Sequence, residues 1–218
     1  MPTYNPNVFE MQDLDTAKSI ILTTENEVST EQRWQTETPY LLAQLQQWCE
    51  VVGSAQVLDF GCGIGRMSKA LIEATSAHVW GMDASQAMRQ HAAGHVASSR
   101  FAALSPQMLD AAIVAGQRLD LALSVWVLQH CPDLNAEINR LYAALKPGGL
   151  LFVVDMQHRA IPTVADGWVD DGLRVEPALN ERFNCLQRIP FAAPNAPNNL
   201  LQSAWIALFQ KPSTETQL

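Results

Sequence analysis

Residues 57–67, with the sequence VLDFGCGIGRM, decide the fold of this 218-residue chain. The short apolar run 55–60 leads into a turn that contains three glycines, and a helical pattern follows over residues 64–74. Glycine lets the backbone turn sharply and approach a ligand without a Cβ in the way. In open α/β sheets, ligands lie beyond the carboxyl ends of the strands. We therefore expect a binding site directly after Phe60.

Strand and helix patterns alternate along the chain after this unit. Short apolar strands separated by helices predict a parallel sheet that is covered on both faces. The alternation weakens after Asp155, where residues 156–182 are predicted to form a long connection. The predicted strands are 55–60, 77–82, 100–104, 119–125 and 150–154, followed by 183–190 and 203–211, with helices at 64–74, 85–96 and from Asp133.

The N-terminal region precedes this alternation. Residues 1–28 are polar and irregular. Ser29 is predicted to cap a helix, because Gln32 three residues later completes a capping box. Thr38 and Pro39 indicate a second helix start, since proline is tolerated at the first helical position.

The composition excludes several classes of protein. The 14 basic and 22 acidic residues give a net charge of −8, which disfavours a nucleic-acid partner. The four cysteines are scattered, as is typical of a reducing compartment. The chain has no apolar run long enough to span a membrane, and its N-terminus lacks the features of a signal peptide. We therefore expect a cytoplasmic protein without a membrane or nucleic-acid partner.

Two acidic residues point to the ligand. Asp59 lies two residues before the first glycine, and Asp83 closes the second strand, 24 residues further on. A dinucleotide-binding loop would have its third glycine at the position of Arg66. The Asp59 carboxylate repels a pyrophosphate and favours an ammonium group, while Asp83 can accept hydrogen bonds from ribose hydroxyls. S-adenosylmethionine has a ribose and a cationic amino-acid end but no phosphate, so it fits both acids.

Four blocks of the sequence resemble, in order and spacing, the motifs of class I S-adenosylmethionine-dependent methyltransferases. This resemblance covers about residues 55–155. It implies a three-layer αβα sandwich around a mostly parallel seven-stranded sheet, the Rossmann-like methyltransferase fold. It also implies three regions: an N-terminal segment with a helical cap (1–54), the methyltransferase domain (55–211) and a loose tail (212–218). The blocks are VLDFGCGIGRMSKAL, VWGMDAS, LDLALSVWVLQH and LKPGGLLFVVD.

The resemblance also implies roles for single residues in holding the cofactor. In families of similar layout an N-terminal helix closes over the cofactor, so Arg33 or Trp34 could contact it; the alternative is simple packing against the sheet. For the methionine part, the implied contacts are Asp59, Gly61 and Gly63, together with Ser124, which also faces the methyl group. For the ribose, the implied contact is Asp83, and Ala84, Ser85 and Met88 would line the pocket of the ribose and adenine. Leu104 and Ser105 would lie near the adenine.

His130 is the candidate for a catalytic base. It follows the fourth strand, and histidine can accept a proton near neutral pH. The alternative is a histidine that only forms hydrogen bonds within a turn. Asp155 and His158 are too few ligands for a metal site, so we expect none.

The resemblance implies an enzyme that uses S-adenosylmethionine to methylate a small-molecule acceptor. The methyl group would move to oxygen or nitrogen by in-line displacement. The chain lacks the Asn/Asp-Pro-Pro-Tyr/Phe block of the enzymes that methylate exocyclic base amines. Two alternatives stay open: a non-catalytic binding or scaffolding subunit on the same fold, and a dinucleotide-dependent oxidoreductase. The sequence does not identify the acceptor, the methylated atom or the oligomeric state.

Overall fold

A seven-stranded sheet forms the centre of the fold. The computed structural model describes residues 3–24, 28–49 and 55–213. In the described residues the strands are β1 (Gln56–Phe60), β2 (His78–Met82), β3 (Phe101–Leu104), β4 (Leu119–Val125), β5 (Leu145–Met156), β6 (Ile161–Thr163), β7 (Gly167–Val169), β8 (Asn184–Pro190) and β9 (Ala204–Gln210). The large sheet has the order β3-β2-β1-β4-β5-β9-β8, while β6 and β7 form a separate hairpin. Strands β1 to β5 run parallel, and β9 is antiparallel to both of its neighbours.

The strand order creates the place for a ligand. The chain moves outward from β1 to β2 and β3, then returns to place β4 on the other side of β1. Phe60 at the end of β1 is in register with Met82 of β2 and with Ser124 of β4. The loops that follow these three strands therefore meet at one edge of the sheet, where such folds bind ligands.

Helices cover both faces of the sheet. Successive strand residues point to opposite faces, so Val57 joins one apolar core and Leu58 joins the other. One core packs under α2, α3, α4 and α8, and the other packs under α5, α6 and α7. These helices are α1 (Leu14–Ile21), α2 (Thr30–Trp48), α3 (Arg66–Ala74), α4 (Gln86–Val96), α5 (Pro106–Val114), α6 (Leu134–Ala144), α7 (Val175–Asn180) and α8 (Asn198–Ser203). The predicted three-layer αβα fold is confirmed.

The helix at Ser29 begins as predicted, with the Ser29–Gln32 capping box in place. The second start at Thr38 and Pro39 is wrong, because α2 continues through Pro39 to Trp48. Proline removes one backbone donor. Burial of Leu41 and Leu45 in the core supports the helix beyond this point.

Several regions have more structure than the sequence indicated, among them α5 and α8, which no predicted helix covered. The polar segment before residue 28 contains α1, which is capped by Asp13 through a hydrogen bond from the Thr16 backbone N–H. The connection 156–182 contains β6, β7 and α7. The proposed region boundaries at 54/55 and 211/212 stay predictions, since residues 50–54 and 214–218 lie outside the described residues.

Candidate functional site

A cavity of about 780 Å³ lies at the carboxyl edge of the sheet. Its volume is within the range of small-molecule and cofactor sites, about 300–1,000 Å³. The loops after β1, β2 and β4 form its floor, and α1, α2 and the segment before α1 contribute further wall residues. The β6–β7 hairpin contributes Trp168 at one end.

The glycine loop fits closely against its neighbours. Gly61 and Gly63 have φ angles of +72° and +54°, which side-chain-bearing residues rarely adopt. A Cβ on Gly61 would lie 2.5 Å from both γ carbons of Val127, and one on Gly63 would lie 2.7 Å from Cδ1 of Ile21. Glycine is therefore favoured by the backbone angle at both positions, and at Gly61 it is also required for the space.

Asp59 joins β1 to the start of α3. Its side chain is buried, and its Oδ2 accepts hydrogen bonds from the Ser68 backbone N–H (3.0 Å) and hydroxyl (2.6 Å). Burial raises the pKa of Asp59, while the bonds from Ser68 act in the opposite direction. The residue also forms part of the cavity wall. It is therefore both an anchor for α3 and an acidic group at the cavity.

Asp83 is held by two backbone amides. Its Oδ2 accepts a hydrogen bond from the Gly63 N–H (2.8 Å), and its Oδ1 accepts one from the Ser85 N–H (2.9 Å). Burial raises the pKa of Asp83 to about 6, against the effect of these bonds and of the Arg89 charge. Each carboxylate oxygen can accept further hydrogen bonds, so Asp83 can receive ligand hydroxyls at the cavity wall.

Two arginines lie at the end of the cavity near α2. Arg33 donates through Nε to Glu37 Oε1 (2.6 Å) and through Nη1 to the Thr23 carbonyl (2.9 Å). Arg66, the first residue of α3, is also part of the cavity wall. Burial lowers the pKa of Arg66 to about 10, while the charges of Glu37 and Asp59 oppose this shift. This end of the site can therefore attract a ligand carboxylate.

His130 lies on the wall at the other end of the cavity. Its Nδ1 is 2.5 Å from the Ala160 carbonyl oxygen, and its Nε2 is 3.0 Å from the Gln129 side-chain nitrogen. Its ring centroid lies 5.1 Å from that of Trp168 and 5.9 Å from that of Phe9. Burial lowers the pKa of His130, which favours the neutral imidazole.

The segment before α1 crosses the cavity. Glu10 accepts hydrogen bonds from the backbone N–H groups of Gln86 (3.1 Å) and Ala87 (3.4 Å) at the start of α4. The Asn5 N–H donates to the Pro162 carbonyl oxygen (2.9 Å) in β6. This segment therefore links the helix after Asp83 to the hairpin near His130.

The structure places most of the predicted site residues in the lining of this one cavity. Nine of them line the cavity: Arg33, Asp59, Gly61, Gly63, Asp83, Ala84, Ser85, Met88 and His130.

Four predicted residues are not part of this lining: Trp34, Leu104, Ser105 and Ser124. Trp34 packs edge-on against His95. Ser105 caps α5 through a hydrogen bond from the Met108 N–H, and Ser124 is fully buried in β4. Their neighbours in sequence, Pro106, Val125 and Trp126, reach the cavity instead.

Several wall residues were not predicted. Tyr4, Phe9 and Glu10 belong to the segment that was interpreted as irregular. Arg66 stands inside the glycine motif, where its position in the sequence indicates only that the loop does not bind a dinucleotide. Gln129 could have been found from its position next to His130.

Two features are absent from the described residues. Within residues 3–24, 28–49 and 55–213, no cluster of three or more His, Cys, Asp or Glu side chains is arranged to hold a metal ion. Across the same ranges, no helix combines the length and the apolar character that crossing a membrane requires.

Comparisons with known proteins identify the family. Residues 31–201 match the methyltransferase domain family. The malonyl-[acyl-carrier protein] O-methyltransferase of Pseudescherichia vulneris is 32% identical over 129 residues, which make up 58% of this chain and 50% of that protein. The ubiquinone biosynthesis O-methyltransferase of Methylobacterium sp. (strain 4-46) is 30% identical over 104 residues, or 47% of this chain and 41% of that protein. The chain thus spans about half the length of these curated relatives.

Solved structures have the same fold. An S-adenosylmethionine-dependent methyltransferase from Mesorhizobium loti superposes with a TM-score of 0.58 at 18% identity, covering 78% of this chain and 96% of that chain. The family match extends over well more than half of the sequence. The chain belongs to the methyltransferase domain family, and the predicted class is confirmed. The cofactor of this class is S-adenosylmethionine, as the sequence indicated.

Proposed function

We propose that this protein is an S-adenosylmethionine-dependent methyltransferase that methylates oxygen or nitrogen of a small molecule. The observation that carries the proposal is the continuity of the cavity. One continuous cavity extends from the glycine loop, Asp59 and Asp83 to the aromatic groups around His130. Cofactor and acceptor can therefore lie in contact, as a direct transfer requires.

The charged side chains on the cavity wall would complement the polar groups of the cofactor. Asp83 would accept hydrogen bonds from the ribose hydroxyls, and Asp59 would face the ammonium group. Arg33 and Arg66 would pair with the carboxylate, since guanidinium groups suit this geometry. Met88 would pack against the adenine. When bound, S-adenosylmethionine supplies an electrophilic methyl group on a positively charged sulfur.

The chain's own contribution to transfer is mainly positioning. Holding two reactants in line can supply up to about 7–11 kcal/mol of the barrier reduction. Trp126, with φ +62°, and Val127 follow β4 and line the cavity, with Val127 packed against Gly61 of the glycine loop. Their apolar side chains exclude water from the space between the cofactor end and His130, which favours dispersal of the sulfur charge.

The acceptor is proposed to be a small molecule. A net charge of −8 disfavours nucleic acid, and both curated relatives described above are O-methyltransferases. The same fold could serve instead as a non-catalytic binding subunit.

Product formation tests the proposal. The purified chain is incubated with S-adenosylmethionine and a panel of small alcohols, phenols, amines and carboxylates, and release of S-adenosylhomocysteine is measured. Acceptor-dependent release supports the proposal. Binding of S-adenosylhomocysteine without release on any acceptor would favour the binding subunit, and no binding would contradict both.

A further inference from the structure

The hydrogen bonds of His130 define its tautomer. The Ala160 carbonyl can only accept, so the His130 Nδ1 that faces it at 2.5 Å must carry the proton. In the neutral ring, Nε2 then has a free lone pair, and the Gln129 side-chain N–H donates to it at 3.0 Å. His130 is therefore held in a form whose Nε2 can accept a proton but cannot donate one.

Gln129 is poorly satisfied in this arrangement. Its side chain is 7% exposed, and its Oε1 is buried without a hydrogen-bond partner among the described residues. Leaving a buried polar atom without a hydrogen bond is destabilising. The backbone N–H of Gln129 is fixed separately, by donation to Asp155 Oδ2 (3.1 Å). Displacing the side chain from His130 therefore leaves this backbone hydrogen bond in place.

The His130 ring is packed against aromatic side chains. The ring centroids of Phe9, His130 and Trp168 lie 5.1–6.1 Å from one another, in tilted and edge-to-face contacts. Such spacing is typical of favourable aromatic pairs. Trp168 is 48% exposed although it belongs to this cluster, so part of its ring is free to contact a ligand. We call these three residues the aromatic recess.

We propose that the acceptor is an aromatic alcohol that lies in the aromatic recess, and that its hydroxyl replaces the Gln129 amide on His130 Nε2. This inference rests on the proposed function and specifies its substrate class. A carboxylate has no proton to donate to Nε2, and a neutral aromatic amine needs no base before it attacks. A phenol is mostly protonated at neutral pH, with a pKa of about 10, so it gains most from a base.

The transfer balances without another reactant. The phenol O–H bond breaks, and its proton moves to His130 Nε2. The oxygen forms a bond to the methyl carbon as the carbon–sulfur bond breaks, and the electron pair of that bond stays on sulfur. His130 afterwards releases its proton to solvent. Gln129 acts as a positioning residue, because it holds the ring ready until the acceptor arrives.

Other groups also affect His130. The positive charge of Arg159 disfavours a second charge on the ring. Asp155 and Asp171 lie near Arg159, and Asp171 Oδ1 is 3.5 Å from its Nε. Phe9 and Trp168 carry no charge. A change at Gln129 alone leaves all of these groups in place, so its effect can be separated from theirs.

The test uses Gln129→Met, which keeps the side-chain length but cannot donate, with the exposed Gln157→Met as the matched control. The titration of His130 is followed by NMR in the ligand-free protein. Loss of the donated bond destabilises the neutral ring, so its titration should move up by about 0.5–1 pH unit in Gln129→Met. The acid limb of the pH profile of kcat/KM should shift by the same amount in Gln129→Met. In Gln157→Met, neither the His130 titration nor this pH profile should shift.

Activity toward matched probes completes the test. Phenols should be methylated in a His130-dependent way, whereas any methylation of anilines and benzoates of the same shape, which need no base, should not depend on His130. His130→Asn should lower kcat on phenols about 10²–10⁴-fold and leave the affinity for S-adenosylhomocysteine unchanged. An unmoved His130 titration in Gln129→Met, or a protein that binds S-adenosylhomocysteine but methylates no phenol, overturns the inference. Absence of S-adenosylhomocysteine binding would instead contradict the proposed function.

Discussion

Gly61→Ala should disrupt the glycine loop through two separate effects. A residue with a side chain at φ +72° costs about 1–2 kcal/mol. The new Cβ would also lie 2.5 Å from both γ carbons of Val127, and overpacking of this kind costs about 1–3 kcal/mol. Together these effects should lower the free energy of unfolding by about 2–5 kcal/mol, which corresponds to a fall in Tm of about 4–20 °C.

Urea unfolding measures the loss of unfolding free energy. Two further variants separate its steric part from its backbone part. Val127→Ala in the Gly61→Ala background removes both close γ carbons, so it should recover the steric part but not the backbone part. Gly94→Ala is the control, because Gly94 lies within α4 and a Cβ there meets nothing within 4 Å. It should leave stability unchanged or raise it by up to about 1 kcal/mol. Equal unfolding free energies for Gly61→Ala and the unchanged protein would refute the reasoning.

Three further predictions concern the buried charges. Because Asp83 has a pKa of about 6 and its ionised form accepts hydroxyls better, affinity for S-adenosylhomocysteine should fall about tenfold from pH 7.5 to pH 5. Calorimetry at both pH values checks this, and Asp83→Asn should lose the dependence. Ser68→Ala removes the hydroxyl that donates to Asp59, so urea unfolding should show a loss of about 1–3 kcal/mol. Glu37→Gln leaves Arg33 without its buried partner and should cost about 3–5 kcal/mol by the same assay; a loss below about 1 kcal/mol would contradict the pairing.

The fold could be predicted because its signals are local. The central strands β1 and β4 are short, mostly apolar runs, and the glycine motif marks the turn after β1. The caps at Ser29, Ser85 and Asp133 also depend on residues within three or four positions of each other. Helix α1 was missed because it has only eight residues and lies in a polar segment.

The site was less predictable because it depends on contacts between distant residues. His130 is paired with Ala160, 30 residues further on, and nothing in the local pattern indicates this contact. Arg33 and Trp34 are neighbours in sequence, but the turn of α2 sends only Arg33 to the cavity. Glu10 reaches the start of α4 across 76 residues. Such contacts follow from tertiary packing, which periodicity does not encode.

Calorimetric titration of the purified chain with S-adenosylhomocysteine, and separately with NADH, tests the central claim most directly. We predict saturable one-site binding of S-adenosylhomocysteine, weakened by about 1.5–3 kcal/mol in Asp83→Ala, and no binding of NADH. Binding of NADH without binding of S-adenosylhomocysteine would contradict the assignment of the cavity.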